Sequence, residues 1–263
     1  MTDDSLLRAV DLSFSAGGKS IISGVSFAMR PGEFRAVIGR NGAGKSTLAR
    51  RLAGLAPGGG EVRIRGRAAD SLSRRELARE ICYLPQIQER TPAFSVRDYV
   101  MLGRYPHTGF WRGPGRGDRD IVQAALEMTG LAGLADRPLP TLSGGERQLA
   151  AIAGGLAQEA VLLILDEPAA FLDPFNQSLL LACLGRLNRV KGVSLLVITH
   201  DVNLALLFAQ RALALKSGRV VFDGPPGDLT AARLHGIFDI PFASFKVGAA
   251  NLTCPLALLE AGA

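Results

Sequence analysis

Apolar positions follow two kinds of pattern along this chain. Residues 6–14 and 20–37 alternate apolar and polar side chains between Gly-rich breaks, as short antiparallel strands with one solvated face do. GEVRIRGR (60–67) is another alternating strand. In contrast, VLLILDEP (161–168) and VSLLVITHD (193–201) are unbroken apolar runs that end in acids or a histidine. Such runs fit strands buried on both faces, hence a parallel sheet between helix layers. Arg35–Gly39 is a third compact run and feeds a glycine-rich loop. Helical spacing covers 46–54, stopping at Gly54, then SRRELAREI (73–81), then most of 95–135. GFWRGPGRGDR (109–119) interrupts the last of these and reads as a Gly/Pro/Arg loop. The final 20 or so residues carry mixed signals and predict no element. The pattern as a whole predicts an α/β fold with a mostly parallel sheet and an antiparallel N-terminal region.

The chain has 263 residues, 48% hydrophobic and 21% charged. That suffices for one large α/β core, or a core with a small subdomain, and is too short for two full-sized enzymatic domains. Charge-free stretches fall well short of the roughly 18 apolar residues of a membrane span. The start, MTDDSLL, is acidic and precedes no apolar core, so a secretory signal is not expected. Cys82, Cys183 and Cys254 are odd in number and unpaired in spacing, which suits reduced cytosolic thiols. No zinc pattern exists. The net charge of +6 fits either a basic face against an anionic surface or scattered arginines. No basic stretch interleaved with aromatics stands out, so nucleic acid is not an expected partner.

GRNGAGKS, Gly39 to Ser46, matches G-x-x-x-x-G-K-[ST] between a strand pattern and a helix pattern. Glycines let successive N–H groups turn inward as a nest for an anion, and the following helix adds its positive end. Gly39, Arg40, Asn41, Gly42, Ala43, Gly44, Lys45, Ser46 and Thr47 are the expected phosphate contacts. Lys45 reaches the β- and γ-phosphates, and the Ser46 hydroxyl holds Mg²⁺. A chance match in a chain of this size has odds of about one in a hundred. LLILDEP then places two acids at a strand end, where open α/β sheets bind ligands. Asp166 is the acid on the Mg²⁺ side, and Glu167 orients or deprotonates an attacking water.

TLSGGERQ (141–148) offers a second anion site. Ser143 and Glu146 have capping-box spacing, and Gly144 and Gly145 between them leave the first helical turn bare. By itself a bare helix start is common; two phosphate-type sites in one chain are more telling.

Together these residues make the chain resemble an ATP-binding-cassette ATPase. The Walker A loop Gly39–Thr47, the signature LSGGE (142–146), Walker B LLILDEP and the D-loop FLDP (171–174) occur in that family's order. So do a Q-loop glutamine, Gln86 in YLPQ, and a switch histidine, His200 in VITHD. The resemblance covers roughly residues 6–240 and implies a P-loop NTPase (RecA-like) core, with an N-terminal antiparallel β subdomain and an inserted α-helical subdomain. Residues 1–240 would form one domain, with core segments near 1–86 and 159–240 and the helical subdomain near 87–158. Residues 241–263 would be an extension of unassigned role.

The resemblance also implies a head-to-tail homodimer that sandwiches ATP. Ser143, Gly144, Gly145 and Glu146 of one copy would meet the γ-phosphate held by Lys45 of the other. Gln86 would join Ser46 and Asp166 around Mg²⁺, Asp173 would connect the two sites, and His200 would hold the γ-phosphate and the water of Glu167. Two departures stand out. The base-stacking aromatic falls on Ala16, with Phe14 two residues earlier as a substitute or as core. The signature helix carries Leu149 and Gly154 where relatives often have arginines, and Gly154 and Gly155 each cost it about 1 kcal/mol relative to Ala.

With one cassette and no span, the pore is expected from a separate integral membrane permease. DYVMLGRYPHTGFW (98–111), LAQEAVLLILDEPAAFLD and THDVNLAL resemble importers of iron–siderophore, haem and cobalamin complexes. That implies a peripheral subunit at the cytoplasmic face of the inner membrane, served indirectly by an extracytoplasmic binding protein. Tyr99, Met101, Leu102 and Tyr105 either receive a permease helix or form a core stripe. The alternatives are a soluble cassette ATPase, as in iron–sulfur assembly, an oxyanion importer for molybdate, or a dimerisation module without useful turnover.

Overall fold

A computed structural model describes residues 4–86, 93–108, 113–247 and 250–256. The chain begins with β1 (Leu7–Ala16), β2 (Lys19–Met29), β3 (Phe34–Ile38), α1 (Lys45–Leu52), β4 (Gly59–Ile64) and β5 (Arg67–Ala68). It continues through α2 (Arg74–Glu80), β6 (Ile81–Leu84), α3 (Val96–Met101), α4 (Arg116–Met128), α5 (Gly144–Ala157), β7 (Leu162–Asp166) and α6 (Pro174–Lys191). Last come β8 (Ser194–Ile198), α7 (Val202–Phe208), β9 (Arg211–Lys216), β10 (Arg219–Gly224), α8 (Ala231–Phe238), β11 (Phe242–Val247) and β12 (Ala250–Pro255). Two compact units result: Met1–Ser71 with Ser194–Ala263, and Leu72–Val193.

In the first unit, the alternating segments form the expected antiparallel sheet, in the order β2-β1-β4-β5, except that Phe34 to Val37, at the end of the stretch 20–37, belong instead to the parallel, doubly buried β3. Leu7 pairs with Met29 on one side and Ile64 on the other, and all three are buried. Register shifts interrupt β1 after Ala9, Leu12 and Phe14, so its side chains do not keep a strict two-residue phase. The continuous runs behave differently. β3 runs parallel to β8 on one side and β9 on the other, and both β3 and β8 are buried at every position. Arg35 is the exception in chemistry but not in burial. Its guanidinium meets Glu33 at 2.6 Å and Asp223 at 3.3 Å and lies over the Phe27 ring. Removing one partner from such a pair typically costs about 3–5 kcal/mol. α1 ends where Gly54 turns to φ 68°, with Leu55 N–H donating to Arg50 O.

In the second unit, β6 and β7 pair in parallel, and α5 is buried on nearly every side. The glycines of α5 now have a reason. A Cβ on Gly155 would lie 3.2 Å from Cys82 Sγ and 3.4 Å from Leu84 Cδ1, so the helix rests on β6 at glycine distance. Burial there pushes the Cys82 thiol up to about 12. Gly154 has open space around its own Cβ, but its carbonyl occupies the place a side chain on Gly103 would need. Arg104, also buried, donates to Ala157 O at 2.6 Å, to Glu159 at 2.7 Å and to Asp118 at 2.9 Å. It thereby fastens the end of α5 to the first turn of α4.

Two expectations need correction. The loop expected over 109–119 ends early, because Asp118 accepts from Gly115 N–H at 2.9 Å and starts α4 at Arg116. Residues 109–112 of that loop lie outside the described residues. The C-terminal stretch, for which the pattern predicted nothing, contains the antiparallel hairpin β11–β12.

Candidate functional site

The first unit builds the glycine loop at the end of β3. Gly39 has φ 148°, and a Cβ on it would collide with the Leu215 carbonyl on β9. Gly44 has φ 98°, and its Cβ would sit 2.7 Å from Ile22 Cγ2 and 2.8 Å from Ile21 O. Both must be glycine for backbone angle and for space. Gly42, at φ 80°, needs only the angle. α1 starts at Lys45 with Gly44 as its N-cap and no side-chain cap, and a helix start of this kind suits an anion. Lys45 is 6% exposed, and its ammonium donates to Gly39 O at 2.8 Å and Arg40 O at 3.2 Å. The loop thus already encloses a positive charge. Ser46 and Thr47 follow on the first turn, half-buried.

The same strand edge carries His200. Val37 pairs with Ile198, and Thr199 N–H donates to Val37 O at 3.0 Å, so β3 and β8 end side by side. Gly39, Arg40, Asn41 and His200 line a cleft of about 510 Å³. Asp201 fixes the chain beyond His200 by capping α7, accepting from Asn203 N–H at 2.8 Å and Leu204 N–H at 3.3 Å.

The second unit carries the acids. β7 delivers Asp166 to its C-terminal end, where Tyr83 of β6 donates its hydroxyl to Asp166 Oδ2 at 3.1 Å. Glu167 is 8% exposed and has φ 51°. Among the described residues seven non-glycines have positive φ, and Glu167 is the buried one. That conformation costs roughly 1–2 kcal/mol, and such strain concentrates where function demands an orientation. Gln86 is exposed, just beyond β6.

The signature segment folds as its spacing predicts. Ser143 caps α5, Glu146 N–H donates to Ser143 Oγ at 3.2 Å, and Ser143 N–H donates to the Glu146 carboxylate at 2.7 Å. The Ser143 N–H is the main reason the Glu146 carboxyl titrates below its usual range. The two glycines part company here. A Cβ on Gly145 would run into the Asn176 side chain, whereas one on Gly144 would meet nothing within 4 Å. Asp173 caps α6, accepting from Asn176 N–H at 2.9 Å and Asn176 Nδ2 at 2.6 Å. The backbone bond from Asn176 leads in holding the Asp173 carboxyl low. Asn176 thus joins Asp173 to the signature helix.

Within each unit, then, the predicted residues converge: the glycine loop with His200 in one, and Ser143–Glu146 with Asp173 in the other. Ala16 is exposed at the end of β1, paired with Lys19. Phe14 is half-buried opposite Ile22, and the register shift after it breaks the two-residue phase that would place both on one face. Tyr83 and Asn176 escaped sequence reasoning. Neither has a local signal, since each matters only through a neighbour far along the chain.

A divalent ion beside the phosphates suits the donors present. In the first unit Ser46 offers a hydroxyl oxygen; in the second, Gln86 and Asp166 offer an amide and a carboxylate oxygen, and no cluster of three His, Cys, Asp or Glu side chains occurs among the described residues. Oxygen donors of these kinds fit Mg²⁺, which keeps substrate phosphates and waters as ligands rather than needing an all-protein cage. No helix among the described residues is long and apolar enough to cross a membrane.

Comparison with known proteins agrees with this chemistry. A family model described as ABC transporter matches residues 22–170. The ferric enterobactin transport ATP-binding protein of Escherichia coli is 38% identical over 229 residues, covering 87% of this chain and 84% of that protein. The hemin import ATP-binding protein of Streptomyces coelicolor is 41% identical over 244 residues, covering 91% and 85%. A metal-chelate type ABC transporter solved in an inward-facing conformation matches with a TM-score of 0.86 at 28% identity, over 98% of this chain and 99% of that one. The matched segment spans the glycine loop, the signature and both strand-end acids. The chain belongs to the ABC transporter family and is an ATP-hydrolysing subunit.

Proposed function

We propose that this subunit powers import of a metal chelate (a ferric siderophore, haem or cobalamin) through a separate membrane permease. It would act at the cytoplasmic face of the membrane, with an extracytoplasmic binding protein supplying the cargo. Two copies close over ATP, and hydrolysis lets them part.

In this cycle the loop Gly39–Thr47 wraps the phosphates, and Lys45 gives up its loop carbonyls to meet the β- and γ-oxygens. Mg²⁺, held by Ser46, Gln86 and Asp166, would neutralise charge on the phosphates. Glu167 orients the attacking water and takes its proton, and His200 donates to the γ-phosphate. Ser143, Gly144, Gly145 and Glu146 of the partner copy close the cage, and Asp173 relates one site to the other. Stacking of the base on Phe14 or Ala16 has little to support it.

Gly144 is the single observation that carries the two-copy cycle. Nothing in its own fold requires a glycine there, so the missing side chain makes room for another molecule. The substrate class draws support from the relatives, which are named for ferric enterobactin and hemin, and from the metal-chelate neighbour. Leu102 and Tyr105 are 54% and 73% exposed, which favours docking over a core stripe, while Tyr99 and Met101 are half-buried.

The test has two arms. Glu167→Gln should form a stable ATP-bound dimer and release almost no phosphate. Reconstituted with its co-purifying permease, the wild type should hydrolyse faster when ferric siderophore, haem or cobalamin is delivered. Stimulation by molybdate or phosphonate alone would overturn the substrate class, and hydrolysis indifferent to any permease would favour a soluble ATPase.

A further inference from the structure

The C-terminal hairpin is stitched to the start of α7, and the end of α8 just before it is tied to the glycine loop, so the two ties flank the cleft of the first unit. Across the hairpin Thr253 pairs with Ser244, and it directs its N–H and C=O to Asn203 on the first turn of α7. Thr253 N–H donates to Asn203 Oδ1 at 2.9 Å, and Asn203 Nδ2 donates to Thr253 O at 3.0 Å. One primary amide thereby completes the outer edge of β12 as a neighbouring strand would. Asn203 stands three residues after His200, and the cap of Asp201 makes the stretch between them stiff. On the other side of the cleft, Asp239 at the end of α8 accepts from Arg40 Nη1 at 3.1 Å and Lys216 Nζ at 2.6 Å. Phe238, Ile240, Phe242 and Pro255 wall the cleft between these ties. The Arg40–Asp239 pair is exposed and adds little energy. The half-buried amide clamp is what fixes position.

We propose that Asn203 is a positioning residue for ATP hydrolysis: by clamping the hairpin it holds the loop bearing His200 in place beside the glycine loop. This rests on His200 acting at the γ-phosphate. A hydrogen bond to the reacting phosphate tolerates only small errors, and a displacement of about 1 Å can cost about a hundredfold in rate.

The test compares Asn203→Ala, Asn203→Asp, His200→Ala and the Asn203→Ala/His200→Ala double variant of the full chain, reading kcat and KM for Mg·ATP. Asn203→Ala should lower kcat about tenfold or more with KM within about twofold. Asn203→Asp keeps the acceptor for Thr253 N–H and should recover part of that loss. On the residual rate of His200→Ala, the Asn203 change should add nothing, as expected of groups acting as one unit. Wild-type kcat in Asn203→Ala, a change confined to KM, or an equal loss in the His200→Ala background would each overturn the proposal while leaving the role of His200 standing. If His200→Ala turns over like wild type, the His200 reading itself falls. Should Asn203→Ala not fold, Asn203→Asp decides: reduced kcat at unchanged KM supports the clamp, and wild-type kcat overturns it.

Discussion

An aspartate at position 144 should push the free subunit and its ATP-bound pair in opposite directions. Gly144 is the first residue of α5, and a Cβ there meets no atom within 4 Å, so the fold has room for the side chain. Any residue but proline is a better helix former than glycine, by up to about 1 kcal/mol. A carboxylate in the first turn adds roughly 0.3–1 kcal/mol through the helix dipole. For a chain of this size each kcal/mol is about 2–4 °C, so the nucleotide-free protein should melt at the parent temperature or a few degrees above it. Pairing is another matter. A carboxylate about 5 Å from the partner's γ-phosphate, at an effective dielectric of about 20, costs about 3 kcal/mol per site. That is more than a hundredfold in affinity, and a two-fold dimer meets it twice. The assay uses the Glu167→Gln background, with dimerisation followed by sedimentation at saturating Mg·ATP and melting followed without nucleotide. Gly144→Asp should stay monomeric where its parent is fully dimeric. Dimerisation at the parent's affinity would refute the two-copy cage, and a melting point several degrees lower would refute the claim that position 144 is open.

Other outcomes follow from the same geometry. Gly154→Ala should stabilise the apo protein by up to about 1 kcal/mol, whereas Gly155→Val should destabilise it by about 1–3 kcal/mol through overpacking against Cys82 and Leu84, both read by thermal melting. The cap of α5 should be acid-sensitive. The Glu146 carboxyl ordinarily titrates near 4.5 and lies below that when folded, so its contribution is whole above about pH 4.5 and disappears as pH falls through the folded value. Urea unfolding between about pH 3 and 6 should show a steeper acid-side loss in wild type than in Glu146→Gln; equal slopes would contradict the assignment.

Much of the site was legible because its signals are local. Glycines at 39, 42 and 44 announce positive φ, a serine three residues before a glutamate announces a cap, and an unbroken apolar run announces a doubly buried strand. These requirements belong to single residues and their immediate neighbours, so the order of strand, loop, helix and acid could be read directly. The N-terminal sheet was legible in kind but not in phase, because the register slips in β1 depend on the strands beside it.

Sequence alone therefore determined the alternating N-terminal strands, the doubly buried strands, the glycine loop between a strand and a helix, the strand-end position of the acids and the cap of the signature helix. Only tertiary structure decided what each glycine is for: Gly155 for the approach of Cys82, Gly145 for Asn176, and Gly144 for neither. It also decided that Glu167 is held at positive φ, that Arg35 is buried between two carboxylates, and that Thr253 meets Asn203. The physical reason is shared. Backbone propensity is set within a few residues, whereas close packing and hydrogen-bond satisfaction are set by atoms brought together from tens to hundreds of positions away.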